Sequence, residues 1–362
     1  MAQESQPRIK SIRVRAVKVP LQEPHRTASG MVAESPLILT DLETDDGTVG
    51  SSMVFTYTPA ALKPTGDLIS NIGAMLTDVP LAPRQMHQDL TARMRLLGSQ
   101  GLVGIAIAAI DMAAWDALSK IHHLSLVQML GGIAKPQTPY GAVGYDGIDG
   151  SAKEAERWAK QGLKGIKAKI GYPSVQEDLA VIQAMREAAG DDMAIMIDYN
   201  QSLTPTEAIE RIRVLDDLGL VWIEEPTLAH DYAGHAQVAA AVKTPIQAGE
   251  NWWGPGDMQL AISAKASNYL MPDVMKIGGV TGWMQAAALA QAGAYKVSNH
   301  LWPEISARLL CCTANAHWLE YTDWWNPILK DPLVVENGQA LVDDRPGTGV
   351  MWDESAIGQY EA

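Results

Sequence analysis

From about residue 134 onward the chain repeats one arrangement, a short apolar stretch ending on an ionisable or amide side chain and followed by a helical stretch. The apolar stretches are 166–170, 194–200, 221–225, 245–251, 269–276, 295–300 and 316–321. In order they carry Lys167 and Lys169, Asp198 and Asn200, Glu224, Glu250, Asp273, His300, and Glu320. Their separation of roughly 20–30 residues is that of one strand–helix unit. A single strand ending this way constrains nothing, because a lone carboxylate pairs readily with a surface lysine or arginine. Seven in succession predict a parallel β/α barrel, whose C-terminal rim gathers strand-end residues into one mouth.

The helices between the strands carry their own start and stop signals. Ser151-Ala-Lys-Glu154, Ser174-Val-Gln-Glu177 and Thr204-Pro-Thr-Glu207 fit capping boxes, with Pro205 at a first-turn position. Gly162, Gly219 and Gly293 are predicted to close helices. The first 60 residues differ: residues 12–17 alternate, and residues 37–42 run into a turn at Asp46-Gly47. Helical spacing takes over from about 59 to 121, and the apolar run 102–115, broken by Gly104 and Asp111, reads as a buried helix. The expected organisation is an α+β capping domain at 1–133, a β/α barrel at 134–325 and a C-terminal segment at 326–362. The fold class is therefore α/β, a TIM barrel with a cap.

At 362 residues and a net charge of -14, with no basic stripe, the chain is a poor partner for nucleic acid. Cys311 and Cys312 are adjacent, poorly placed to bridge each other, and read as small buried hydrophobes in a reducing compartment. The first ten residues lack an apolar signal core, and no membrane span is expected. A cytoplasmic enzyme acting on a small molecule is the expectation.

Asp198, Glu224 and Glu250 would repel one another across a barrel mouth unless a cation lay between them, and a hard oxygen ligand set suits Mg²⁺. Lys167 and Lys169, two apart on a strand, face the same way, and each ammonium is expected to lower the other's pKa. Asp273 is placed to hold one ring nitrogen of His300 and raise the basicity of the other. Two bases flanking an α-carbon, a metal and a strand-end acid describe removal of the proton alpha to a carboxylate, with electrostatic support for the enolate.

With these residues in view, the chain resembles the mandelate racemase branch of the enolase superfamily over essentially its whole length. The matching segments are Ile110-Asp-Met-Ala-Ala-Trp-Asp-Ala-Leu118, Lys167-Ala-Lys-Ile-Gly-Tyr-Pro173, Asp198-Tyr-Asn-Gln-Ser202 and Trp222-Ile-Glu-Glu-Pro-Thr227. Gly249-Glu-Asn-Trp252, the segment 271–283 and His317-Trp-Leu-Glu320 complete them. The resemblance implies a modified (β/α)7β barrel under an α+β cap, and Asp198, Glu224 and Glu250 as Mg²⁺ ligands. It further implies Lys169 as the base on the (S) face, His300 with Asp273 on the (R) face, Lys167 on the substrate carboxylate and Glu320 as general acid. Asn200, Tyr57 and Leu301 would lie against substrate, and homo-oligomers, often octamers, are the norm for such proteins. The sister muconate-lactonising branch carries a lysine where this chain has Asp273; Lys276 is expected to be a supporting residue.

The departures concern the substrate. Mandelate-handling relatives resemble Tyr-Asp-Ser-His after the first barrel strand, where this chain has Tyr140, Gly141, Ala142 and Val143. In the cap, His25, Ser29 and Thr322 stand where those relatives place aliphatic residues, which points to a more polar distal group. Phe55, Tyr57, Leu96 and Leu301 are expected to keep the pocket partly apolar. Two reactions fit: racemisation of a 2-hydroxy acid, and dehydration of a sugar acid to a 2-keto-3-deoxy acid by the same machinery. A catalytically silent barrel used for binding predicts lost ligands or bases, and none is lost.

Overall fold

The computed structural model describes residues 6–27 and 30–362. Three antiparallel strands open the chain: β1 (Ile9–Thr27), β2 (Gly30–Thr44) and β3 (Val49–Phe55), in sheet order β1-β2-β3. Four helices follow, α1 (Leu62–Ala74), α2 (Pro83–Arg93), α3 (Leu102–Ile121) and α4 (Leu126–Met129). Gly50 has no room for a side chain, since an added Cβ would lie 2.0 Å from the Ala113 carbonyl; sheet and α3 therefore meet backbone to backbone. Among the described residues α3 alone is long and apolar enough to cross a membrane, with mean hydropathy 1.6, yet 83% of that window is buried. It is the core helix of the cap.

The barrel alternates β4 (Pro139–Val143), α5 (Gly147–Lys160), β5 (Gly165–Lys169), α6 (Val175–Ala189), β6 (Ala194–Asp198) and α7 (Pro205–Leu215). It continues with β7 (Ile223–Glu224), α8 (Tyr232–Ala241), β8 (Ile246–Ala248), α9 (Gly254–Ala264), β9 (Tyr269–Leu270), α10 (Gly279–Ala292), β10 (Lys296–Val297), α11 (Pro303–Cys311) and β11 (Leu319–Tyr321). All pairings in this eight-stranded sheet are parallel, in the order β10-β9-β8-β7-β6-β5-β4-β11. A parallel bridge from Val297 to Ala316 closes the ring. Eight strands and seven intervening helices make the (β/α)7β arrangement. A short hairpin, β12 (Val334–Glu336) and β13 (Gln339–Leu341), and α12 (Glu354–Tyr360) end the chain, with Glu361 bridged to Val17 of the cap.

Several local expectations change. The boxes at Ser174 and Thr204 form, each hydroxyl accepting from the backbone of the glutamate three residues on. Ser151 does not cap a helix; α5 starts four residues earlier, and Ser151 is buried inside it. Gly162 and Gly219 take left-handed φ values of 84° and 69°, whereas at the end of α10 that role falls to Ala294, with φ 57°. Residues 140–143 belong to the first barrel strand itself. Thr322 sits directly after β11, on the barrel rim and not in the cap. Ser29 lies outside the described residues. Leu96 is 95% exposed on the turn after α2, so it lines no pocket. Cys311 is buried and Cys312 half-buried, and both are free.

Cap and barrel are joined by buried carboxylates of α3. Asp111 accepts from the backbone of Thr281 at 3.0 Å and from its hydroxyl at 2.5 Å, at the start of α10. Asp116 accepts from Ser51 N at 2.8 Å and Thr348 N at 2.6 Å, tying cap sheet to C-terminal segment. These bonds fix the cap over the C-terminal rim.

Candidate active site

The strands are shorter than the apolar stretches that announced them, so the polar residues divide into two kinds. Lys167, Lys169, Asp198, Glu224 and Glu320 lie on strands, while Glu250 lies on a turn beyond β8, and Asp273 and His300, just beyond β9 and β10, pair with each other in an isolated parallel bridge. A turn must aim its side chain by backbone shape. Gly249 does so for Glu250: its φ is +146°, and an added Cβ would lie 2.8 Å from the Met271 backbone. Non-glycine residues with positive φ cluster here too, namely Tyr57 (58°), Asn200 (43°), Gln201 (64°), Glu225 (35°), Leu301 (50°) and Trp302 (55°). Such strain persists where surrounding structure overrides it, and it concentrates at functional sites.

Asp198, Glu224 and Glu250 each offer one carboxylate oxygen, and these atoms all lie within 4.8 Å of one another. Their donor set is purely hard oxygen. That suits Mg²⁺. Asp198 is fixed by Asn200, whose backbone N–H donates at 2.7 Å and whose amide donates at 2.9 Å. Glu224 accepts from the Trp222 indole at 3.0 Å. Glu250 accepts from Asn251 at 3.1 Å, and that amide also donates to Glu225 at 2.7 Å and accepts from Lys276 at 2.7 Å. Lys276 is thus a supporting residue, resting 4.7 Å from the centre of the Tyr57 ring.

Lys169 and His300 rest on different members of the carboxylate cluster. Lys169 Nζ lies 3.1 Å from Asp198 and donates to Asn200 Oδ1 at 2.7 Å. His300 Nδ1 lies 2.6 Å from Asp273, leaving Nε2 3.2 Å from Glu250. Asp273 is held in turn by Trp302 Nε1, at 3.1 and 3.2 Å from its two oxygens, and by the backbone of Met275 at 2.7 Å. Lys167 pairs with Glu224 and lies 3.0 Å from Glu320. The second oxygen of Glu320 accepts from Leu301 N at 2.7 Å. Leu301 is buried at the wall, and Tyr57, 43% exposed, stands at the rim against Phe55.

The electrostatics correct one expectation. Burial alone would lower both lysines, but Glu224 and Glu320 raise Lys167 well above its ordinary value, and Asp198 and Glu250 raise Lys169. Carboxylates, not the neighbouring ammonium, dominate each lysine. Burial would likewise lower His300, and Glu250 with Asp273 raises it. Burial would raise Glu250, but His300, Lys169 and Lys276 bring it down to about 2. Glu320, against the same burial, is lowered by Lys167 and His300, so it stands ionised beside Lys167. The paired charges leave a cavity of only about 30 Å³ between Lys167, Lys169, Glu250, His300 and Glu320.

Glu225, Asn251, Trp222 and Trp302 were not singled out from the sequence. Glu225 and Asn251 each adjoin a member of the carboxylate cluster, but an adjoining residue on a strand or turn points elsewhere by default. Trp302 had no signal, because it reaches Asp273 only through the left-handed turn at 301–302.

Two family models match this chain, the mandelate racemase/muconate lactonizing enzyme N-terminal domain over residues 9–131 and the enolase C-terminal domain-like model over 150–356. An enolase from Bradyrhizobium, crystallised with magnesium and mandelic acid, is 41% identical, covering 99% of this chain and 100% of that one with a TM-score of 0.95. D-galactarolactone cycloisomerase of Agrobacterium fabrum is 30% identical over 377 residues, 98% of each chain. L-talarate/galactarate dehydratase of Salmonella typhimurium is 33% identical over 263 residues, 72% of this chain and 66% of that protein. With both halves of the fold and the converging carboxylates accounted for, the chain belongs to the mandelate racemase/muconate lactonizing enzyme family of the enolase superfamily.

Proposed function

We propose that this chain racemises a 2-hydroxy acid, by Mg²⁺-dependent abstraction of the proton alpha to the carboxylate through an enolate. One observation carries the reading: Lys169 and His300 approach the same three-carboxylate cluster from different members of it, Lys169 at Asp198 and His300 at Glu250. Asp198, Glu224 and Glu250 would hold the metal. Bound there, Mg²⁺ would supply positive charge to the enolate oxygens and would offset the carboxylate charge that raises the pKa of both bases.

The remaining steps belong to the protein's side chains. Neutral Lys169 takes the α-proton on one face into its Nζ lone pair, and protonated His300 returns one from Nε2 on the other, inverting the centre. In the reverse direction the roles exchange. Asp273, bonded to Nδ1, fixes the tautomer that leaves Nε2 facing the substrate. Lys167 meets the substrate carboxylate, and its ammonium, held against ionised Glu320, supplies the hydrogen bond to the enolate. Leu301, which lines the cavity, would lie against substrate together with Asn200 and Tyr57.

Dehydration of a sugar acid is the second reading, favoured by the polar lining at His25 and Thr322 and by the talarate/galactarate dehydratase among the relatives. A cytoplasmic location and homo-oligomeric assembly, an octamer by resemblance, go with either reaction. Incubation with Mg²⁺ in D₂O separates them: α-deuterium uptake with inversion is the racemase outcome, and a 2-keto-3-deoxy product is the dehydratase outcome. No exchange from any 2-hydroxy or sugar acid would overturn both.

A further inference from the structure

The small reacting cavity has a much larger neighbour. It shares four wall residues, His25, Ala142, Thr322 and Trp324, with a second cavity of about 680 Å³ between the β1–β2 hairpin, the ends of β4 and β11, and helix α5. That is roughly twenty water volumes, far more than the distal carbons of a six-carbon acid fill. Its wall exists because of Gly141: an added Cβ there would lie 2.3 Å from the Trp158 ring, so the glycine lets that indole lie flat against β4, where Nε1 donates to Ala142 O at 2.9 Å. The departure from the mandelate-type segment at 140–143 and this chamber are one feature.

Two observations specify the occupant. At the junction, Thr322 is 1% exposed and its hydroxyl has no hydrogen-bond partner, a buried polar atom that water or a ligand must satisfy. Beyond it, the chamber carries Arg26, Lys153 and Arg157 against Asp146, Glu154 and Asp323, equal numbers of each sign. Arg157 lies 2.8 Å from Glu154 and 3.6 Å from Asp323, over the Trp158 ring. A second carboxylate would meet as much repulsion as attraction here, and a bare aryl ring would strip water from charged groups without replacing it. A neutral chain of hydroxyls can donate to the carboxylates and accept from the cations.

We infer that the active site extends through the His25–Thr322–Trp324 junction into this chamber, and that the substrate is a hydroxy acid carrying a large neutral polyhydroxylated extension, such as a glycosyl group. The inference rests on the α-proton chemistry proposed above and names its substrate class.

The test uses the full chain with saturating Mg²⁺ in D₂O and four kinds of acid: 4-O-glycosyl hexonates (maltobionate, cellobionate, lactobionate), the parent hexonates, hexarates and mandelate. Each is assayed by α-proton exchange and as a competitive inhibitor of the best exchanging acid, so that a stereochemical mismatch at the reacting carbon does not hide binding. The expected result is a KM or Ki for at least one glycosyl hexonate at least tenfold below its parent. Lys153→Trp, at an exposed position on α5 where it fills the chamber without disturbing the core, should reduce that ratio at least fivefold. Thr322→Val should reduce it about fivefold, the worth of one hydrogen bond. Hexonates, hexarates or mandelate binding as tightly as every glycosyl hexonate would overturn the inference, as would an unchanged ratio in Lys153→Trp. Exchange from short acids with no gain from the extension sinks the chamber alone, whereas no exchange from any acid sinks the underlying chemistry as well.

Discussion

The two adjoining cavities at the barrel mouth are built on opposite plans. In the smaller cavity each cation rests on a carboxylate of the converging three: Lys167 on Glu224, Lys169 on Asp198, His300 on Glu250. Its charged side chains come from successive strand ends and the residues just beyond them, so the barrel itself sets their geometry. In the neighbouring chamber charges pair with each other along the wall, as Arg157 does with Glu154, and the side chains come from a cap strand, one helix and two rims. The first arrangement has one job for which exact placement of charge matters. The second offers room and hydrogen bonds, and can change without disturbing the first.

That contrast can be broken most directly at the three converging carboxylates. Glu250→Gln should lower α-proton exchange by at least about 10³-fold for every acid alike, measured by NMR in D₂O. A loss confined to large acids would mean that the two cavities do not divide chemistry from recognition. Asp273→Asn comes next. It leaves Lys169 untouched and removes the carboxylate that orients His300, so exchange from the enantiomer deprotonated by His300 should fall about 10²–10⁴-fold. Separate assays of each enantiomer check this, and equal loss from both would contradict the division of labour.

A smaller effect concerns the joint on which both cavities depend. Burial raises Asp111 from 3.8 to about 7, although its bonds from Thr281 oppose the shift. The unfolded chain releases that proton near pH 4 and the folded chain holds it until about 7, so this contribution to stability is complete below pH 4 and is lost as pH rises through 7. The stability of wild type relative to Asp111→Asn should therefore fall between pH 4.5 and 8 by about 1–3 kcal/mol. Urea unfolding at the two pH values tests it, and a difference that rises with pH would contradict the buried, proton-holding joint between cap and barrel.

What could be read from the sequence follows the same division. The strand-end residues were legible because a β/α unit recurs at a fixed spacing, and each unit delivers its last polar residue to one rim. The ionisation of the lysines was not, since it depends on which carboxylates the closed barrel brings to Lys167 and Lys169. Trp302 escaped because its contact with Asp273 runs through two consecutive positive φ values that no residue type announces. The chamber was visible only as an oddity, Gly141 and Ala142 where relatives resemble Asp and Ser. Its meaning depended on Trp158, sixteen residues from Ala142 in sequence and folded against it by α5. Thr322 reads from the sequence as a polar cap residue, because nothing local separates a rim residue from a cap residue.

Lys169 and His300 are proposed to serve opposite faces of one α-carbon. Wild type, Lys169→Ala and His300→Asn should each be incubated with Mg²⁺ in D₂O and separate enantiomers of the best exchanging acid, following α-deuterium by NMR. The account predicts that wild type exchanges both enantiomers and that each variant loses exchange from one, the two losses being reciprocal. Full exchange from both enantiomers in either variant, or the same enantiomer lost in both, would contradict it.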